Sequence, residues 1–197
     1  MPDRGGSPPP DPHELTWPPD AGQVSDAAEG DERTLAAILF QAFPRVVAFG
    51  RALGLAPADA EDLAGDVCER VVKGLGGLRD PGRFEAWFWS IARNRVRTAL
   101  RRRRRHDDTY ERANVGIGDP EERAVTRDEH RIVAEAFAAL RLRDRQILWL
   151  REVQGLTDEE VGVALGMRPG AVRVAAMRAC RRLEEAYDAL GGGSPRE

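Results

Sequence analysis

Residues 83–105, RFEAWFWSIARNRVRTALRRRRR, decide how the rest of the chain is read. Set at about 100° per residue, Phe84, Trp87, Phe88 and Ile91 share one side of a helix, and Ser90, Arg93, Arg97 and Arg101 lie roughly opposite. The stretch is therefore an amphipathic helix with an aromatic face to bury and a guanidinium face to expose. Of the thirteen residues 93–105, eight are Arg, in a chain whose formal net charge is −3. A charge run is most often only a solvated face. At this density, however, the cations repel one another unless an anion is at hand, and nucleic acid is the commonest such anion.

The wider composition narrows the classes. At 197 residues, 42% apolar and 32% charged, the chain has room for one medium domain or two small ones. No apolar run approaches the length of a membrane span, and the N-terminus lacks the layout of a signal peptide, so a cytoplasmic protein without membrane insertion is expected. Cys68 and Cys180 are far apart with no CxxC and read as reduced structural thiols. His13, His106 and His130 form no metal-ligand spacing, and neither a phosphate loop nor a nucleophile triad is present. No catalytic residue, metal or cofactor is expected. Charge is unevenly spread: residues 1–32 hold eight acids against one Arg, and residues 107–129 hold eight against three. The acidity sits in segments that look like tails and linkers, while the basic residues cluster.

Outward from the opening helix, residues 1–32 are Pro-rich and acidic and read as a disordered tail in which Trp17 is a stray aromatic. From Thr34 the period becomes helical, with Leu35, Ile38, Leu39, Ala42 and Phe43 on one face and Pro44 marking a kink or a restart. Residues 58–73 form another helix, in which Ala60, Leu63, Ala64, Val67 and Val71 are apolar and Asp62, Asp66, Glu69 and Lys73 make a polar stripe. Glycines and RDPGR (79–83) form a loop before the opening helix. Residues 106–128 read as an acidic linker, and helix returns over 129–140 and 144–153.

The second informative stretch is LTDEEVGVALGMRPGAVRVAAMRACRRLEE, 156–185. Thr157 with Glu160 three residues on is a capping box. Gly166 breaks the helix and Pro169 starts the next, whose Val172, Ala176, Ala179 and Leu183 form the buried side. This is the layout of a helix-turn-helix. Opposite the buried side lie Gly170, Val174, Met177 and Arg181, flanked by Arg173 and Arg178. In such a motif the second helix enters the major groove. Arginines 173, 178, 181 and 182 suit phosphates or guanines, Val174 and Met177 suit thymine methyls, and Gly170 permits close approach of backbone amides to a phosphate.

With these residues in view, the chain resembles bacterial RNA polymerase sigma factors of the extracytoplasmic-function (ECF) type, group IV of the sigma-70 family. AEDLAGDVCERV (60–71) is similar to the region 2 helix that docks on polymerase, RFEAWFWSIARN (83–94) to the recurrent F-x-A-W-hydrophobic-x-x-I-A-R-N pattern, and 156–183 to region 4. The resemblance implies an all-α fold of two small helical domains joined by a flexible linker: a region 2 bundle over 33–105 and a region 4 helix-turn-helix over 129–190, the latter followed by a short tail, 191–197. It also implies the partners. Asp62, Asp66 and Glu69 would face the clamp helices of the largest subunit of core RNA polymerase, and region 4 would meet the flap of the second subunit. Arg79, Arg83, Trp89, Arg93, Asn94, Arg97 and Arg101 would hold the melted minus-ten element of promoter DNA. Arg168, Gly170, Ala171, Arg173, Val174, Met177, Arg178 and Arg181 would meet the minus-thirty-five element, and an anti-sigma factor would regulate the protein.

The recognition helix departs from the family pattern. Where a small hydroxyl residue, a basic residue and Ser-Arg are common, this chain reads Ala171, Arg173, Val174 and Ala175. A more apolar contact, or weaker upstream binding, follows. The competing readings are a helix-turn-helix regulator that binds DNA without joining polymerase, and a sigma-like protein that acts through protein contacts alone.

Overall fold

The computed structural model describes residues 16–106 and 124–192, all of whose regular elements are helical. Helix α1 spans Ala21–Ala28, α2 Glu32–Ala52, α3 Pro57–Gly74 and α4 Phe84–His106. Two single 3-10 turns, Leu75–Gly77 and Pro81–Arg83, bracket the loop between α3 and α4. After the linker come α5 (Ala124–Ala139) and α6 (Leu142–Leu148), the latter continuing into a π turn at Trp149–Val153. The last pair is α7 (Asp158–Leu165) and α8 (Pro169–Ala189). The expected linker over 106–128 falls largely outside the described residues, and α5 already begins at its C-terminal end.

Local chemistry explains the boundaries. Thr157 Oγ1 accepts from the Glu160 amide at 3.3 Å while the Thr157 amide donates to Glu160 Oε2 at 2.8 Å, the anticipated capping box. Gly166 closes α7 in the left-handed conformation at φ 65°, where a side chain is strained. Pro169 opens α8, where its missing N–H costs nothing. Of the two outcomes expected at Pro44, a restart of the helix does not occur. The proline lies inside one continuous α2, where Arg45 donates to the Gln41 carbonyl at 2.7 Å.

The acidic N-terminal segment also differs from expectation. Residues 1–15 lie outside the described residues, but Asp20 caps α1 in a full capping box with Gln23, and Val24 and Ala27 are buried against the rest of the fold. Composition favoured a tail because acids and prolines dominate it, while the few apolar residues that dock it are too sparse to form a period. Helix α2 is long and apolar enough, by length and composition, to cross a membrane. Its apolar side, including Ile38, Val46 and Phe49, is instead packed into the core.

Two helical units are present, one built on α2–α4 and one on α5–α8. They share a continuous apolar core that periodicity could not foretell. Helix α7 lies along α4, and the π turn brings Trp149 to Phe49 of α2, ring centroids 6.4 Å apart. Arg145 of α6 donates to the Ala52 carbonyl at the C-terminal end of α2 (3.4 Å), where the helix dipole favours a cation.

The turn of the helix-turn-helix leaves no spare volume at Gly162, where an added Cβ would sit 2.7 Å from the Met167 carbonyl oxygen. Gly162→Ala is expected to lower unfolding free energy by about 1–3 kcal/mol, as overpacking against backbone does. Gly65→Ala, at an open helical position, is expected to raise it by about 0.5–1 kcal/mol. Chemical denaturation of the two variants beside the parent measures both signs.

Candidate nucleic-acid and polymerase interface

Helix α3 buries Ala60, Leu63, Ala64, Val67 and Val71, which turns the stripe of Asp62, Asp66 and Glu69 outward. The three carboxylates are not equivalent. Asp62 is exposed. Asp66 is half-buried and accepts a hydrogen bond from Arg95 of α4, so it ties the two helices together. Glu69 pairs with Lys73 one turn on, and the ammonium holds its carboxyl below the usual glutamate range. Asp62 and Glu69 thus supply the outward negative charge, with Asp66 as an internal strut.

The loop before α4 presents Arg79 and Arg83 to solvent. Asp80 accepts from the Gly82 amide at 3.1 Å and pairs with Arg83 at 3.3 Å, giving the loop a defined turn at its tip. On α4, Asn94, Arg97 and Arg101 are exposed. Arg93 is half-buried beside Asn94; burial lowers its pKa, and repulsion from Arg97 and Arg143 adds to the shift. A guanidinium starts so high that it remains a cation. Mutual repulsion of this kind is relieved when an anion is bound.

Trp89 corrects the expected surface. Its side chain is fully buried, edge-on to Phe49 at 5.2 Å and to Phe88 at 5.0 Å. It does not lie on the exposed arginine face of α4. Helix α4 is covered on two sides, by α3 on one and by α7 on the other, so its apolar arc reaches past Trp89 to Ala86. A reading that allowed one buried face set the centre of that arc too early. Trp87, placed in the core from sequence, is only half-buried and packs against Gly74, where a Cβ would lie 3.1 Å from its ring.

On α8, Val172, Ala176 and Ala179 face inward, and Arg168, Gly170, Ala171, Arg173, Val174, Met177, Arg178 and Arg181 all face outward. Val174 is 43% and Met177 67% exposed, so the apolar groups stand free at the centre of this face. Two of the arginines have internal partners. Arg173 Nε donates to Asp158 Oδ2 at 3.1 Å, and Arg181 Nε to Glu185 at 2.9 Å. Arg182, also read as a DNA contact, is turned toward α6 and donates to the buried Asp144 at 2.8 Å. Asp158 went unnoticed in sequence, where it looks like one of three first-turn acids. It is nearly buried and holds both Arg151 and Arg173. Among the described residues, no group of three His, Cys, Asp or Glu side chains is placed to hold a metal.

The arrangement offers two cationic faces suited to DNA and one acidic helix face suited to a basic protein surface. Residues 39–106 match the family model for sigma-70 region 2, and residues 130–183 match that for sigma-70 region 4. The ECF RNA polymerase sigma factor ShbA of Streptomyces griseus is 38% identical over 174 residues, which cover 81% of this chain and 91% of that protein. ECF RNA polymerase sigma factor SigD of Mycobacterium tuberculosis is 36% identical over 179 residues, 85% and 84% of the two chains. Two solved structures share the fold. CnrH in complex with the cytosolic domain of CnrY gives a TM-score of 0.66 at 23% identity, over 86% of this chain and 97% of that one. RpoE with the anti-sigma factor NepR from Bartonella quintana gives 0.65 at 21%, over 76% and 94%.

Trp89→Ala is expected to destabilise the free protein by about 3–5 kcal/mol, a core loss visible by thermal denaturation without DNA. Arg173→Ala and Arg178→Ala are expected to weaken upstream DNA binding, each lowering the salt slope of log K by about 1 if it removes a phosphate contact. If neither changes the upstream footprint, the groove face of α8 lies elsewhere.

Proposed function

The chain belongs to the ECF RNA polymerase sigma factors of the sigma-70 family, and from that premise we propose how its surfaces divide the work of promoter recognition. The protein is a sigma factor that joins core RNA polymerase and directs transcription initiation at promoter DNA. The ordered pair of region matches, with a 38% identical relative spanning most of both chains, carries this reading. A helix-turn-helix regulator independent of polymerase would have no use for the region 2 half.

Asp62 and Glu69 meet the clamp helices of the largest polymerase subunit, and Asp66 keeps that face rigid through Arg95. Arg79, Arg83, Arg93, Asn94, Arg97 and Arg101 hold the melted minus-ten strand. Aromatic stacking there falls to half-buried Trp87, since Trp89 is in the core. The outward face of α8 meets the minus-thirty-five element, with Val174 and Met177 against thymine methyls and the arginines on phosphates. Region 4 also meets the flap of the second subunit. The two elements are named for positions about 25 base pairs apart, on the order of 80 Å of duplex at 3.4 Å per pair. The two units share a core in the free chain, so reading both elements at once requires them to part. An anti-sigma factor would act on the same equilibrium. The protein itself makes and breaks no covalent bond; chemistry belongs to the polymerase, and the place of work is the cytoplasm.

Transcription in vitro with core polymerase on a promoter library tests the reading. Promoter-specific transcripts are expected, and their absence with competent core enzyme would overturn it. In the same system, Asp62→Ala combined with Glu69→Ala is expected to reduce co-purification with core polymerase several-fold while leaving the melting temperature of the free protein unchanged.

A further inference from the structure

We propose that the segment Trp17–Ala28, which precedes the region 2 match, positions the 74–83 loop for contact with the downstream DNA strand, with Trp17 as its principal positioning residue. The match to region 2 begins at residue 39, so this segment lies outside what the family model describes. The inference rests on the reading that loop 74–83 and α4 meet melted promoter DNA.

Three sets of contacts carry it. First, α1 packs on α2 and on both 3-10 turns that bound the loop, so one short helix touches the loop at its entry and its exit. Val24 and Ala27 are buried in doing so, and the Ala28 carbonyl oxygen lies 3.7 Å from where a Cβ on Gly76 would sit. Second, the Trp17 ring meets Phe84 and Phe88 edge-on, with centroids 5.9 and 5.0 Å apart. Those two residues are in the first turns of α4, immediately after the loop. Third, Trp17 is held by polar groups from two other elements. Its Nε1 donates to Glu85 Oε1 at 3.2 Å, and the Arg45 guanidinium of α2 stands over its ring at 5.1 Å. Burial raises the pKa of Glu85, and the indole N–H groups near it work in the opposite direction.

A lid that only covers apolar surface would need none of this polar pinning, nor contact with both ends of one loop. The geometry fixes the loop's two stems; exposed Arg79 projects between them, and exposed Arg83 ends the second. Loss of the pin would leave the core largely filled while letting the arginine-bearing loop wander. A misplacement of that size weakens strand capture and base preference rather than attachment to polymerase.

The test compares full-length wild type, Trp17→Ala, Trp17→Phe and Arg45→Gln, each with core polymerase on a promoter the wild type opens. Permanganate reactivity of the opened thymines, base preference across a randomised downstream element, and affinity for core polymerase are read together. Trp17→Ala is expected to reduce opening on the order of 5-fold and to flatten the base preference, with core affinity unchanged. Trp17→Phe, which keeps an aromatic ring against Phe84 and Phe88 but loses the N–H and part of the indole's contact area, is expected to retain more of the preference than Trp17→Ala. Arg45→Gln withdraws the cation without opening the apolar core, so it decides the matter should Trp17→Ala fail to fold; a smaller loss in the same direction is expected. Folded variants that open and select as wild type does would overturn the proposal, as would losses of core affinity and opening in equal proportion. A wild-type protein that opens no promoter would instead overturn the functional reading beneath it.

Discussion

Phe49, Trp89 and Trp149 form the contact on which the arrangement of helices depends. Phe49 lies 5.2 Å from Trp89 and 6.4 Å from Trp149, so one residue of α2 touches both α4 and the start of the π turn. Large aromatic rings dominate burial energetics, and their mutual geometry is restrictive. Placing Trp89 inward fixes the rotation of α4 about its axis, which in turn sets Asn94, Arg97 and Arg101 outward. The same contact seats the second helical unit. It also carries a cost, because Nε1 of Trp149 is buried with no hydrogen-bond partner among the described residues. Such a group costs on the order of 1–3 kcal/mol, which the apolar area of the indole must offset.

The arginines divide into those that hold the fold and those that are offered to a ligand. Arg95, Arg145 and Arg182 each reach a partner on another element: Asp66, the Ala52 carbonyl and Asp144. Asp66 and Asp144 sit on the helices that these contacts cross-brace. Arg97, Arg168 and Arg178 are exposed and have no ion pair among the described residues. Arg173 is intermediate, since it is outward yet bonded to Asp158. The excess of arginine that first points to nucleic acid is thus partly structural cement, and a simple count overstates the ligand-facing charge.

Local signals were legible in the sequence and tertiary ones were not. The Thr157–Glu160 box, the Gly166 stop and the Pro169 start each act through groups within a few residues, so they can be read in one dimension. The outward face of α8 was equally legible, because a helix buried on one side keeps a clean period. Helix α4 is buried on two sides, which misplaced Trp89. Helix α1 depends on Val24, Ala27 and Trp17 docking on residues 50 or more positions away in part, as with Glu85. No local pattern announces that. Nor does Asp158 reveal by spacing that it will hold Arg151 and Arg173 at once.

The shared core of the two units has a consequence in terms of concentration. The two units belong to one chain, so their contact is an intramolecular event governed by an effective concentration rather than by the bulk concentration. Lengthening the chain between them changes this slowly, since doubling a loop costs only about 0.6 kcal/mol. A contact between such units need not be strong enough to hold two separate proteins together in order to keep them closed. Any ligand that uses them apart must bind the open form more tightly than the closed one, and its apparent affinity is reduced by the fraction of chains that stand open.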